Sequence, residues 1–74
     1  MENTKLEFQT PEKIIQHYKS AMDSVNLING SQPPEFDDEA WTDCVARNKK
    51  YLQVMLEQDF WTTEDLTPLR NASA

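Results

Sequence analysis

From Ile14 onward, apolar residues recur at helical spacing. Ile14, Ile15, Tyr18, Ala21, Met22, Val25 and Ile28 fall on one arc, with Glu12, Gln16, Lys19 and Asp23 opposite and His17 at the edge of the stripe. Thr10-Pro11-Glu12 supplies a start for that helix. The Thr hydroxyl accepts from an orphan amide, Pro at the first helical position loses no hydrogen bond, and Glu12 suits the positive dipole end. Asn29-Gly30 predicts its end, since both residues tolerate a left-handed cap. The first helix is therefore expected over residues 10–29, and residues 1–9 before it as an extended arm whose Phe8 packs near the helix start. A short edge strand around Leu6 and Phe8 is the lesser reading.

A Pro-rich connection over 30–37 comes next, stiffened by Pro33-Pro34, with Phe36 expected to turn back into the core. A second periodic stretch covers 38–59, capped by Asp37 or Asp38, with Glu39 in its first turn. Trp41, Cys44, Val45, Tyr51, Leu52, Met55 and Leu56 share one face. Thr42, Asp43, Arg47, Lys50, Gln53 and Glu57 share the other, where Val54 sits among polar neighbours. Asp43 and Arg47 make an i,i+4 pair in the favourable order. After Phe60-Trp61, Thr62-Thr63-Glu64-Asp65 reads as a fresh cap. Pro68 limits the third element to a short helix around Leu66 and Leu69, with Asn71 to Ala74 fraying. The fold these elements predict is mainly α. It is an antiparallel two-helix hairpin with a short third C-terminal helix in 60–74, forming one small domain over 1–74.

Composition sharpens this in two ways. A chain of 74 residues with 38% hydrophobic and 27% charged content is globular but close to the lower size limit for a self-sufficient core, so a partner or a second copy is expected to complete it. One Gly and four Pro disfavour a turn-rich β fold. The net charge of −6 is uneven. Residues 1–34 hold four acids against three lysines, and residues 35–74 hold nine acids against four bases. Such a surface repels nucleic acid and anionic membranes and suits a basic protein instead. Cys44 is the single cysteine, so no internal disulfide forms. The polar start MENTKLEFQT has no apolar signal-like core, no run approaches a membrane span, and the Asn29 and Asn71 sequons are then chance matches; a cytosolic chain is expected.

Few residues carry candidate chemistry. Cys44 and His17, oriented by Asp23 or Asp43, are the one conceivable thiol–base pair. No Gly-rich or strained turn offers an oxyanion site, and a core cysteine with a boundary histidine is the plainer reading. Glu35, Asp37, Asp38, Glu39 and Asp43 form an acidic patch. It lacks the glycine and terminal bidentate acid of a calcium loop, and helix-start acids answering the dipole account for it. No metal, cofactor or catalytic set is expected. Asn48 interrupts the apolar arc. It either finds a partner and sets register or oligomeric state, or reaches solvent at a frayed seam.

From Ala46 the segment ARNKKYLQVMLEQDFWTTEDLTPLRNA is similar to the C-terminal part of small bacteriophage proteins with the pattern R-N-x-x-x-L-x-x-M-L-x-x-D-F-W-T-x-E-D-L-x-P. Here it is carried by Arg47, Asn48, Leu52, Met55, Leu56, Asp59, Phe60, Trp61, Thr62, Glu64, Asp65, Leu66 and Pro68. The likeness covers the last third of the chain. It implies a phage-encoded protein from the virion or tail-assembly gene region, without enzymatic activity, located in the host cytoplasm or the virion. The Ala-rich helix that often continues the family's C-terminus is not matched by Asn71-Ala72-Ser73-Ala74. Virion proteins or a second copy are then the expected partners, met by Trp41, Asn48, Tyr51, Leu52, Met55, Phe60 and Trp61 as contact or core residues. The alternative is an inhibitor of a host protein whose acidic patch mimics nucleic acid.

Overall fold

The computed structural model describes residues 9–74. Most of the arm expected over 1–9, with Leu6 and Phe8, lies outside the described residues. Among the described residues three helices occur in order, α1 (Pro11–Asn29), α2 (Asp38–Leu56) and α3 (Thr67–Ser73), and each packs on the other two. No strand occurs among the described residues, so the mainly α expectation holds.

The helix starts obey local chemistry closely. Thr10 takes an extended conformation and its hydroxyl accepts from Lys13 N at 3.3 Å, with Pro11 in the first turn. Asp37 does the same for α2, its carboxylate accepting from Ala40 N at 2.7 Å. The helix ends depart from expectation. Gly30 is extended, with φ −83° and ψ 178°, and no described residue has positive φ. Its amide bonds back to Leu27 O at 3.2 Å, tightening the last turn, and the chain then runs straight toward Pro33-Pro34. The glycine is still apt, because a Cβ there would come within 3.1 Å of Asn26 O.

Helix α2 stops at Leu56, three residues short of the expected 59. Side chains join backbone amides on its final carbonyls, where Glu57 N also reaches Val54 O at 3.2 Å and Gln58 N reaches Met55 O at 3.1 Å. The Gln58 amide donates to Val54 O at 2.9 Å, and the Trp61 indole donates to Met55 O at 2.7 Å. Satisfied this way, the end of the helix needs no further turn.

The interior is formed by Ala21 and Val25 of α1, Leu52 and Met55 of α2, and Leu69 and Ala72 of α3. Tyr18, Met22, Ile28, Tyr51, Val54, Leu56, Trp61 and Leu66 pack around them. Four sequence-based expectations are corrected by this packing. Val54, assigned to the polar face, packs on the core, and Gln58 beside it is buried, because α3 lies across that side of α2. Asn71 to Ser73, expected to fray, are helical, and Ala72 is 5% exposed. Phe36 does not enter the core; it meets Trp41 edge-on at 5.8 Å between ring centroids. Ile15, placed on the apolar arc, is 53% exposed.

The cap before α3 also differs from the Thr62–Asp65 reading. Leu66 occupies the N-cap and caps nothing with its side chain, while Asp65 Oδ1 accepts from Thr67 N at 3.1 Å. That backbone hydrogen bond holds the Asp65 carboxyl below the usual carboxylate range. Glu64 turns back to accept from Thr62 N at 3.0 Å, so the segment is a tight corner leading to Pro68 in the first turn of α3. The Tyr18 hydroxyl ties this corner to α1 by donating to Asp65 O at 2.8 Å.

Because Leu69 is fully buried at the junction of all three helices, Leu69→Ala should cost about 2–5 kcal/mol. The denaturant midpoint measures it. A loss below about 0.5 kcal/mol, the size of an ordinary surface substitution, would show that α3 is not part of the cooperative core.

Candidate functional site

The residues singled out by sequence separate into two groups in space. The first is interior or joint-forming. Leu52 is fully buried and Met55 nearly so, which makes them core rather than surface. Trp61 packs against that core, with its indole on Met55 O and its ring edge-on to Tyr18 at 6.1 Å. Phe60 stacks on His17 at 5.4 Å and leans on Trp61 at 4.8 Å. Tyr51 packs on the core as well. Burial pushes its hydroxyl pKa up, against a smaller downward pull from a hydrogen bond with the Ser20 side chain.

Asn48 belongs with this group. Its Oδ1 accepts from the buried Ser24 hydroxyl at 2.7 Å, and its Nδ2 donates to Cys44 O at 2.8 Å. The solvent-reaching alternative is thereby excluded. Ser24 is an interior residue that apolar periodicity could not flag, because it carries no hydrophobic signal of its own. Its spacing from Ala21 and Val25 is the one clue in the sequence.

The second group lies at the start of α2. No side chain from Asp38 to Tyr51 is fully buried, whereas Leu52 and Met55 further along the helix are. At this end Phe36 and Trp41 are half-buried, outside the core cluster, and packed on each other. Around them Glu35, Asp37, Asp38, Glu39 and Asp43 are exposed. Asp37, Asp38, Glu39 and Asp43 line a shallow open depression together with Ala40, Thr42 and Ala46. Asp43 is partly neutralised by Arg47 through an ion pair in which both side chains are well exposed, so it adds little stability.

Charge is strongly segregated along the chain. Between Lys19 and Arg47 there is no Lys, Arg or His, but there are six acids: Asp23, Glu35, Asp37, Asp38, Glu39 and Asp43. The remaining seven acids are matched by seven Lys and Arg, so this segment accounts for the whole net charge of −6.

Comparison of the chain with protein-family models, with curated proteins and with solved structures returns no match.

Cys44 and His17 are not brought together. His17 lies against Phe60, with Nε2 2.9 Å from Gln9 Oε1, whereas Cys44 is one turn from Asn48, on the part of α2 opposite Ser24. Ser24 and His17 are seven residues apart on α1, or about 10 Å of helix rise. Asp23 and Asp43 are exposed, and Asp43 faces Arg47. No cluster of three metal-ligating side chains occurs among the described residues, and no described helix is long and apolar enough to cross a membrane.

The raised Tyr51 pKa has a pH consequence with a definite sign. A tyrosine that ionises less readily when folded contributes stability that is present below its unfolded value near 10 and is lost as pH rises through the folded value. Stability should therefore fall above about pH 10 more steeply in the parent than in Tyr51→Phe. Denaturant midpoints across that range check this, and parallel slopes would contradict it.

Proposed function

We propose that this chain is a small phage-encoded structural or assembly protein that acts by protein–protein contact, in the host cytoplasm or in the virion. The supporting observation is the separation between a joint built from the phage-like pattern and an acidic, half-covered end of α2. In the pattern, Leu52 and Met55 are core, Phe60 and Trp61 close the α2–α3 joint, Asp65 caps α3 and Pro68 opens it. The resemblance is thus a resemblance in fold-forming residues. It leaves the Phe36–Trp41 pair and its surrounding acids as the contact surface, with Trp41 as the candidate that carries most binding energy.

The α1–α2 pair is read as an antiparallel hairpin within a single domain over 1–74. Ser20 meets Tyr51 and Ser24 meets Asn48, while Tyr18 reaches Asp65 beyond the end of α2. Residues later in α1 thus meet residues earlier in α2, as that orientation requires.

A second reading has its own support in the cation-free stretch between Lys19 and Arg47. An inhibitor that presents carboxylates to the nucleic-acid site of a basic host protein would use the same acids, and its binding would weaken steeply with salt.

Affinity capture of the full chain from phage-infected cells tests both readings. Virion proteins as the captured partners are expected. Glu35→Lys combined with Glu39→Lys should weaken that capture by roughly tenfold, equivalent to ~1.4 kcal/mol, and Trp41→Ala should do so too. Capture unaffected by all of these substitutions would remove this end from the interface. Recovery only of nucleic-acid-binding host proteins, released as the salt is raised, would transfer the case to the second reading.

A further inference from the structure

A polar bridge in the interior serves neither the contact surface nor the aromatic joint. The Ser24 hydroxyl, itself buried, crosses from α1 to Asn48 Oδ1 on α2 at 2.7 Å. The same Asn48 amide then anchors back on its own helix, donating to Cys44 O at 2.8 Å and approaching Cys44 Sγ at 3.7 Å. This arrangement fixes which way the amide points. If it were flipped, its oxygen would face the Cys44 carbonyl, acceptor against acceptor. About one turn away the exposed Ser20 side chain lies near the half-buried Tyr51 hydroxyl. The two serines are four residues apart on α1, and Asn48 and Tyr51 three apart on α2, so both pairs lie along one seam.

We infer that the Ser24–Asn48 bridge is a register latch, whose role is to select one alignment of α1 on α2 rather than to add stability. The need for such a latch comes from the apolar surroundings. Ala21 and Val25 of α1 share one buried cluster with Leu52 and Met55 of α2, with Met22, Ile28 and Tyr51 packed against it, and aliphatic side chains of this kind accept several alignments at similar cost. Hydrogen bonds do not. A slip of one turn that brings Ser20 opposite Asn48 satisfies that amide, but it carries the buried Ser24 hydroxyl away from its acceptor. A slip the other way faces Asn48 with Ile28, leaving its oxygen without a donor in the interior. Each shifted alignment leaves Ser24 or Asn48 without its partner, whereas the observed one pairs them. The latch is independent of what the acidic end binds.

Asn48→Leu and the double variant Ser24→Ala/Asn48→Leu remove the bridge and replace it with apolar contact of similar bulk. Amide proton–nitrogen NMR spectra of the full chain, with sedimentation for mass, read the outcome. The expected result is that both variants keep their helix content and thermal midpoint within a few degrees of the parent. Their resonances at the α1–α2 seam should double or broaden, or the mass should shift to a second species. A single sharp set of resonances at unchanged mass would overturn the latch. Unfolded variants would overturn it equally, since the pair would then supply stability and not selection.

Discussion

Leu69 and Ala72 close a core that two helices cannot close alone, and most of the other features answer to that closure. Two 19-residue helices facing each other bury a single seam and leave the flanks of each apolar stripe in water. The seven-residue α3 lies over one flank and turns Ala21, Val25, Leu52 and Met55 from a seam into an interior. A helix this short has little stability of its own, so it must be positioned by its surroundings. Tyr18 holds the preceding corner through Asp65 O, Asp65 caps the first turn, and Trp61 fixes the point where the chain leaves α2.

The same closure explains which end of α2 is left half-covered. Aromatic side chains at the α3 end are consumed by structure: Phe60 by His17, and Trp61 by Met55 O and Tyr18. The far end of α2 has no third helix over it. Phe36 and Trp41 cover each other there, among acids that no lysine or arginine offsets until Arg47. One small chain thus divides its large side chains between holding a core together and forming a charged, half-covered end. The register latch lies between those two regions, where Ser24 and Asn48 give direction to an otherwise permissive apolar contact.

Local chemistry alone was enough to read the starts of α1 and α2, most of their polar faces and the mainly α class. Thr10 and Asp37 cap because a side-chain oxygen next to orphan amides needs no distant partner, and Glu12, Gln16, Lys19, Asp23, Arg47, Lys50, Gln53 and Glu57 are exposed as their spacing required. The acidic patch was legible too, since nothing in the fold covers or neutralises most of it.

Only the tertiary structure decided the features that depend on α3 and on pairing across helices. Val54 and Gln58 become interior, Ala72 is buried instead of frayed, Ile15 is left exposed, and Asn48 acquires Ser24. Helical periodicity assigns a residue to a side of its own helix. It does not say how many neighbours that helix will have, or on which sides they will lie. In a chain of 74 residues, one added seven-residue neighbour is enough to redraw the boundary between surface and core.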